Sequence, residues 1–284
     1  MLFDFPKRFE IELVSDCNLR CTYCPRHYVN NLTGYIVPEL FYKLVDEISK
    51  YPDRVVALHR RGESLMHPNF PELVRYTRGK FAEVQLATNA TCLNKPRMEA
   101  IIDSVDFLSF SIDHPILFDK TRVPAKYFSV EKSILKFLDL NQGKVKTQVS
   151  MVQTDATPPE YAEEFKQIWN GKVDRIRVYQ EHSKGGVFGA IEAEKKRAMR
   201  KPCVMPEYEM LIYCDGKTGR CNHDWDGPPM GDVNVQTIHE IWHGEKYQEL
   251  RRQHRELLFQ DPVCKNCDSW YPEIGVQGTG MVVE

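Results

Sequence analysis

The segment Cys17-Asn18-Leu19-Arg20-Cys21-Thr22-Tyr23-Cys24 places three thiols within eight residues, directly after the apolar stretch 9–14. A structural zinc site normally uses four ligands, often as two separated pairs. Three cysteines on one short loop instead suit three corners of an iron–sulfur cubane, whose fourth iron stays open to another ligand. From spacing alone, a zinc site or a loop of reduced thiols remains the alternative.

The chain around this loop alternates strand-like and helix-like stretches as far as residue 180. Alternating apolar and β-branched residues predict strands at 9–14, 54–59, 83–87, 107–111, 146–152 and 175–179. Helices are predicted between them at 38–50, 70–78, 95–102, 130–140 and 158–169. Six strand–helix units in series predict an α/β fold, a partial (β/α)6 barrel of the TIM type. The cysteine loop follows the first strand, where barrels gather functional residues.

Composition divides the chain into three predicted parts. The barrel takes residues 1–182, a glycine-rich and charged linker takes 183–202, and a small α+β iron–sulfur domain with a C-terminal tail takes 203–284. In the last part, Asp215-Gly216 predicts a hairpin. Thr237 and Glu240 predict a capping box that opens one helix running through Leu250.

The nine cysteines form two groups and one isolated residue. Beyond the first triplet, Cys92 stands alone and the C-terminal group comprises Cys203, Cys214, Cys221, Cys264 and Cys267. In a reducing compartment, clustered cysteines are more often metal ligands than disulfides. The sequence therefore predicts two separate metal sites.

Charge and hydropathy indicate a cytoplasmic protein. Basic and acidic residues nearly balance, at 38 and 40, so no overall field favours nucleic acid or an anionic membrane. The N-terminal residues lack the apolar core of a signal peptide. No apolar run approaches the roughly 18 residues that span a bilayer.

Four motifs in the right order resemble those of radical S-adenosylmethionine (SAM) enzymes. The first is Cys17-x-x-x-Cys21-x-x-Cys24 with Tyr23 before the third cysteine. Arg61-Gly62-Glu63-Ser64 corresponds to the family's Gly-Gly-Glu-Pro and keeps only its central Gly-Glu. The segments Thr88-Asn89-Ala90 and Ser109-Phe110-Ser111-Ile112-Asp113 resemble the family's third and fourth strand motifs.

This resemblance implies a 4Fe-4S cluster on Cys17, Cys21 and Cys24, with SAM bound at the open iron. SAM would be cleaved reductively to a 5′-deoxyadenosyl radical that abstracts hydrogen from the substrate, with a flavodoxin- or ferredoxin-type protein as electron donor. The implied SAM contacts are Tyr23 near the adenine, Gly62 and Glu63 at the ammonium, and Ser111 and Asp113 at the ribose or carboxylate. Tyr23, Ser111 and Asp113 equally suit structural roles at strand ends.

The C-terminal cysteines resemble the ligands of a shortened SPASM, or twitch, extension. The resemblance implies that a second, auxiliary 4Fe-4S cluster is saturated by four thiolates, from Cys203, Cys221, Cys264 and Cys267. In the family a ligand stands at the position of Cys221, whereas Cys214 occupies a strand position. A zinc ribbon built from two cysteine pairs is the alternative.

A saturated auxiliary cluster favours two-electron oxidation, as in the aminocyclitol dehydrogenases that this compact layout resembles. The leading prediction is an oxidoreductase acting at an alcohol or amine carbon of a polar, sugar- or aminocyclitol-like substrate. An epimerase with Cys92 as hydrogen donor is the second interpretation, and a peptide-modifying maturase the third. A non-enzymatic iron–sulfur electron carrier is the alternative from another class.

Basic residues near the predicted barrel mouth are candidate substrate contacts, suited to a phosphate or carboxylate on the substrate. They are Arg60, Arg61, Arg122 and, near the sixth strand, His182. Surface solvation, with one arginine for the SAM carboxylate, is the alternative. The proton acceptor that oxidation needs stays open among Arg177, Tyr179, Glu181 and His182.

Overall fold

The computed structural model describes residues 3–29, 34–181, 200–265, 267 and 270. Each predicted strand and helix of the barrel has a counterpart, and α4 with the short strands β2 and β6 is added. The barrel elements are β1 (Arg8–Ile11), β2 (Arg20–Cys21), α1 (Pro38–Ile48), β3 (Val55–Ala57), α2 (Phe70–Tyr76), β4 (Glu83–Thr88), α3 (Lys95–Ser104), β5 (Phe107–Ser111), α4 (Pro115–Thr121), β6 (Arg122–Val123), α5 (Tyr127–Asn141), β7 (Lys146–Gln153), α6 (Pro159–Trp169) and β8 (Arg175–Gln180).

The C-terminal part mixes short helices and strands. Its elements are α7 (Met205–Tyr208), β9 (Glu209–Ile212), β10 (Lys217–Gly219), β11 (Gly231–Asp232), α8 (Ile238–Trp242), α9 (Glu245–Arg255) and α10 (Pro262–Lys265). The capping box of Thr237 and Glu240 is confirmed. The prediction of a single helix through Leu250 is wrong. The helix is interrupted at Gly244, whose backbone is extended and which is the N-cap of α9. Most of the predicted linker, with His182, lies outside the described residues.

The described strands form one large sheet and a separate two-stranded ladder. The large sheet has the order β11-β10-β9-β1-β3-β4-β5-β7-β8, and the strands from β1 to β8 pair in parallel. Glu10 of β1 and Tyr179 of β8 line one cavity, so the sheet curves around it. The predicted α/β class and partial barrel are confirmed.

The C-terminal part continues the barrel sheet. β9 pairs in parallel with β1 over four residues, from Arg8 opposite Glu209 to Ile11 opposite Ile212. β10 then returns antiparallel beside β9, and Gly216 has the left-handed φ of 86° that their tight connection requires. Backbone hydrogen bonds therefore hold the C-terminal part against the first barrel strand.

Amphipathic helices bury their apolar faces in the core. In α1, Leu40, Leu44 and Ile48 recur at helical spacing, and all three are buried as the sequence predicts. Among the helices of the described ranges, none has the length and apolar character needed to cross a membrane.

Candidate functional site

The loop carrying the first three cysteines is tied to the barrel by β2. Cys21 pairs with Arg122 in the antiparallel ladder of β2 and β6. Next to it, the backbone N–H of Thr22 donates to the carbonyl of Thr121 at 2.9 Å. The N–H of Cys24 donates to the carbonyl of Cys21 at 3.0 Å, which tightens the turn between the last two cysteines.

Cys17, Cys21 and Cys24 are half-buried and close enough to influence one another's ionisation. Burial raises the pKa of Cys17 to about 12 and that of Cys21 to about 11, and neighbouring cysteines add to both shifts. The backbone N–H of Leu19 donates to Cys17 Sγ at 3.4 Å. Thiols that burial keeps protonated become thiolates when a metal cation binds. The loop therefore suits a cationic metal centre.

Glu63 is a buried carboxylate beside this loop. Its Oε1 accepts from the Thr88 hydroxyl at 2.7 Å and from the Leu65 N–H at 3.1 Å, and its Oε2 accepts from the Asn89 N–H at 2.7 Å. Burial raises the pKa of Glu63. Over residues 3–29, 34–181 and 200–265, no basic side chain forms a salt bridge with Glu63. A cationic ligand beside Glu63 would favour the ionised form of its carboxylate.

Gly62 allows two backbone segments to touch beside the cysteine loop. The N–H of Glu63 donates to the carbonyl of Asp16 at 2.9 Å. A Cβ on Gly62 would lie 2.8 Å from the carbonyl carbon of Ser15, and closer still to the carbonyl oxygens of Val14 and Asp16. Only glycine permits this approach.

The turn after β4 explains one departure from the resembled motif. Ala90 has a φ of 61°, in the left-handed region that favours glycine, and stands where the motif has glycine. This conformation costs an alanine roughly 1–2 kcal/mol. The turn nevertheless presents Asn89, whose amide contacts Cys17 Sγ at 3.8 Å.

Asp113 is the centre of a buried network behind the cysteine loop. Its two oxygens accept from Nε and Nη2 of Arg122, both at 3.0 Å. The Tyr23 and Thr121 hydroxyls donate to the same carboxylate, each at 2.7 Å. The network joins the loop to the end of β5, so Tyr23 and Asp113 are both engaged within the protein.

A cavity of about 260 Å³ occupies the barrel interior. Its polar wall comes from five barrel strands, the residues after β3, and the C-terminal part. The polar residues that line it are Arg8, Glu10, His59, Arg60, Gln85, Ser109, Ser111, Gln148, Ser150, Tyr179 and Asn222, with Trp225. Asn222 and Trp225 belong to the C-terminal part, which therefore contributes to the wall of the cavity.

Within the described residues, six buried polar atoms of this wall have no hydrogen-bond partner. They are Arg8 Nε, His59 Nδ1, Arg60 Nε, Gln148 Oε1, Asn222 Oδ1 and Trp225 Nε1. Burial lowers the pKa of His59 to about 4, so its imidazole is neutral at pH 7 and stays available for hydrogen bonding. Unsatisfied buried polar groups are rare in native proteins, and a bound polar molecule would satisfy these.

Charged groups lie on one side of the cavity. Arg8 lies between Glu10 at 3.0 Å and Glu209 at 3.4 Å. Although burial opposes ionisation, Arg8, Arg60 and His59 together lower the pKa of Glu10. Burial and the nearby Glu10 raise the pKa of Glu209 to about 7. Glu10 is therefore the carboxylate that carries full negative charge in the cavity wall.

The predicted substrate arginines separate into different environments. Arg60 lines the cavity, where its guanidinium packs over the Trp225 ring at 4.9 Å. Arg61 and Arg122 are buried in ion pairs with Glu12 and Asp113, and neither is among the cavity-lining residues described. Arg60 also lies 3.8 Å from Glu10, but of the three arginines it is the one that lines the cavity, and it stays the candidate substrate contact.

The buried pair of Glu12 and Arg61 gives a stability prediction. The two carboxylate oxygens of Glu12 accept hydrogen bonds from Arg61 Nε at 2.7 Å and from Arg61 Nη2 at 2.8 Å. We expect Glu12→Gln to lower the free energy of unfolding by about 3 to 5 kcal/mol, because Arg61 keeps its charge without a counter-charge. A urea titration of the apoprotein measures this loss. The control Asp103→Asn, which removes an exposed pair, should cost less than about 1 kcal/mol. Equal losses would contradict the prediction.

The four other predicted ligand cysteines meet in the C-terminal part. Cys203, Cys221, Cys264 and Cys267 line one small cavity of about 20 Å³ between α7, the residues that follow β10, α9 and α10. Burial raises the pKa of the Cys221 thiol, and the other three cysteines raise it further. Four thiols around one small space suit a metal centre whose ligands all come from the protein.

Cys214 and Cys92 belong to neither of these two groups of predicted ligands. Cys214 is buried, its Sγ faces Gly34, and its N–H donates to Glu12 at 3.4 Å. Cys92 Sγ contacts the Asn18 amide and the Thr91 hydroxyl, both at 3.8 Å. Neither cysteine is among the described residues that line the barrel cavity. This placement does not favour Cys92 as a hydrogen donor to a substrate in that cavity.

The candidate proton acceptors also differ in position. Tyr179 lines the cavity, and the Arg177 guanidinium lies over its ring at 4.9 Å. Glu181 follows β8, where its N–H donates to the Gln153 carbonyl. The cavity wall also contains four polar residues that the sequence did not indicate: Glu10, His59, Gln148 and Asn222.

Comparison with known families explains both cysteine groups. The sequence matches the Radical SAM superfamily over residues 11–116 and SPASM, an iron-sulfur cluster-binding domain, over residues 203–268. The chain is a radical SAM enzyme. Its C-terminal part is a SPASM domain, so the resemblance stated from the motifs is confirmed. These domains imply SAM and 4Fe-4S clusters, including an auxiliary cluster, as cofactors.

Two curated proteins illustrate the range of relatives of this radical SAM enzyme. The S-adenosyl-L-methionine-dependent 2-deoxy-scyllo-inosamine dehydrogenase of Niallia circulans is 23% identical over 273 residues, which cover 92% of each chain. The tungsten-containing aldehyde ferredoxin oxidoreductase cofactor-modifying protein of Pyrococcus furiosus is 29% identical over 109 residues. That match covers 38% of this chain and 31% of the relative, so the chain spans about a third of that protein's length.

Solved structures share the fold of this radical SAM enzyme. BtrN in complex with AdoMet and 2-DOIA has a TM-score of 0.66 at 20% identity, with 96% of both chains covered. SuiB of Streptococcus suis bound to precursor peptide SuiA has a TM-score of 0.73 at 14% identity, covering 88% of this chain and 67% of that one. At these identities the likeness shows the fold alone.

The residues of both sites fit the implied cofactors. The first site offers three thiols together with a buried carboxylate that forms no salt bridge within the described residues, which suits a cluster with the SAM ammonium beside it. The second offers four thiols around one small space, as a fully ligated cluster requires.

Proposed function

We propose that this radical SAM enzyme is a dehydrogenase that oxidises an alcohol or amine carbon of a small, aminocyclitol-like substrate in the barrel cavity. The observation that carries the proposal is the cavity itself, about 260 Å³ of polar space with unsatisfied buried donors and acceptors. This space suits a molecule the size of one sugar ring. The dehydrogenase of Niallia circulans, similar over 92% of both chains, supports the same substrate class.

In this proposal Cys17, Cys21 and Cys24 hold the first cluster, and Cys203, Cys221, Cys264 and Cys267 hold the auxiliary cluster. Together with SAM, the bound clusters supply hydrogen-atom abstraction from carbon and an acceptor for the second electron. The Glu63 carboxylate would hold the SAM ammonium, and Gly62 lets the backbone of Val14, Ser15 and Asp16 pack closely beside it. Ser111, which lines the cavity, is a candidate contact at the cofactor's ribose or carboxylate.

The cavity residues bind and orient the substrate. Gln148 Oε1 and Asn222 Oδ1 accept hydrogen bonds from hydroxyl or amine groups, and Arg60 donates to a hydroxyl oxygen. Glu10, whose pKa the surrounding bases lower, pairs with a substrate ammonium. His59, whose imidazole is neutral at pH 7, exchanges a hydrogen bond with a hydroxyl or amine of the substrate through Nδ1.

Product mass tests the proposal. Anaerobically reconstituted protein is incubated with SAM, dithionite and 2-deoxy-scyllo-inosamine, and then with related aminocyclitols. We expect a product lighter by two hydrogens, formed together with 5′-deoxyadenosine. A product of unchanged mass in ordinary water, which gains one deuterium when the reaction is run in heavy water, would indicate epimerisation instead. Release of 5′-deoxyadenosine with no change in any aminocyclitol would contradict the proposal.

Gln148→Leu tests whether the substrate lies in the cavity. We expect the KM for the substrate to rise about five- to thirtyfold, because one buried hydrogen bond is worth about 1 to 2 kcal/mol. SAM cleavage without substrate should be unchanged. The control Gln180→Leu changes an exposed glutamine at the end of β8 and should leave the KM unchanged. An unchanged KM in Gln148→Leu would place the substrate elsewhere.

A further inference from the structure

His254 lies between two cysteines of the auxiliary site that are 61 residues apart in the chain. It belongs to α9 and is 4% exposed. The backbone N–H of Cys203 donates to its Nδ1 at 3.1 Å. On the other side of the ring, Nε2 lies 3.4 Å from Cys264 Sγ. The edge-to-face contact with the Phe259 ring, 5.2 Å between centroids, fixes the plane of the imidazole.

These two contacts determine where the ring proton lies. Nδ1 accepts a hydrogen bond from a backbone N–H, so it cannot carry a proton itself. The proton of the neutral ring is therefore on Nε2, and the Nε2–H points at the Cys264 sulfur. At 3.4 Å this is an N–H···S hydrogen bond, which is longer than N–H···O because sulfur is larger.

A hydrogen bond to a ligand sulfur acts on the cluster that the sulfur holds. Reduction adds one negative charge, which spreads over the cluster and its thiolates. A donor aimed at one thiolate stabilises the reduced form more than the oxidised form. The reduction potential therefore rises, and the cluster becomes a better electron acceptor.

We propose that His254 is a positioning residue of the auxiliary site, which orients Cys203 and Cys264 and raises the reduction potential of the cluster through its Nε2–H. The inference rests on the ligand set given under the proposed function. It adds a reason why this cluster, rather than another oxidant, accepts the second electron of substrate oxidation.

Two substitutions separate the contacts of His254. In His254→Gln the side-chain amide nitrogen reaches the place of Nε2, which keeps a donor to Cys264 and loses the acceptor for Cys203. In His254→Asn the amide oxygen takes the place of Nδ1, which keeps that acceptor and loses the donor. Both are made in the full chain carrying Cys17→Ala, Cys21→Ala and Cys24→Ala, so that only the auxiliary cluster remains.

The readouts are iron and sulfide per chain and the midpoint potential from a redox titration followed by EPR. We expect the parent protein and both His254 variants to bind one cluster each. The midpoint potential should be lower in His254→Asn and close to that of the parent in His254→Gln. His239→Asn, an exposed histidine of α8, should change nothing.

Three outcomes would overturn the inference. Equal potentials in the parent and both variants would show that the donor does not act on the cluster. A fall in His254→Gln as large as in His254→Asn would assign the effect to the Cys203 contact. Equal loss of iron in both variants would leave His254 a structural role only. If the parent, with His254 intact, bound no iron, the ligand set itself would be wrong, which is a failure of the proposed function.

Discussion

Replacing Gly62 with alanine is expected to reduce SAM cleavage at least about 100-fold, because displacing a bound reactant by 1 Å can cost this much. The added Cβ would lie 2.8 Å from the Ser15 carbonyl carbon and closer to two carbonyl oxygens, all of them backbone atoms. The segment from Val14 to Asp16 must then shift, and it leads directly into Cys17. The measurements are 5′-deoxyadenosine formed per minute, iron per chain, and far-UV circular dichroism, which should be unchanged.

Gly34→Ala is the matched control in the same region. A Cβ there would lie 3.7 Å from Cys214 Sγ, an ordinary van der Waals contact. We expect normal iron content and normal SAM cleavage in this variant. If both glycine variants lost cleavage equally, the close approach at Gly62 would not be the cause.

Cys221→Ser is expected to abolish substrate oxidation while SAM cleavage persists. Cys221 is enclosed by the other three cysteines of the auxiliary site, which all influence its ionisation. With two 4Fe-4S clusters per chain, iron should fall from about eight to about four atoms. The first cluster lies on another loop, so 5′-deoxyadenosine should still form without an oxidised product.

The control for this variant is another buried cysteine of the C-terminal part. Cys214 follows β9 and lies outside the auxiliary cavity, with its Sγ toward Gly34. Cys214→Ser should keep all of its iron and oxidise substrate normally. If Cys214→Ser lost iron and Cys221→Ser did not, Cys214 would be the cluster ligand in place of Cys221.

Local sequence patterns predict most of the barrel, because each element carries its own periodicity and its own start and stop signals. The strand at Phe107–Ser111 has the predicted bounds, and the helix predicted from Pro38 begins at that residue. The pairing of β9 with β1 has no local signal, since partners some 200 residues apart are chosen by packing. The break at Gly244 was missed because apolar spacing continues across it.

The candidate site was less predictable than the fold. The motifs place the cysteines and Glu63, because short loops hold their ligands close in sequence. Arg8 and Glu10 alternate with apolar residues in β1, a pattern that normally indicates a solvent-facing side. In this protein that side faces the polar interior of the barrel, and the alternation alone does not distinguish such a cavity wall from a solvent-facing surface. The pairing of Arg61 and Arg122 with buried carboxylates likewise depends on contacts that sequence order does not show.

The parallel pairing of β9 with β1 limits how the molecule can be divided. A fragment truncated after the barrel would leave the backbone groups of β1 along one flank without hydrogen-bond partners, next to Phe9 and Ile11. Such an unprotected flank is a template for self-association. The iron–sulfur extension therefore also acts as a cover for the barrel, and the two halves should be produced as a single polypeptide.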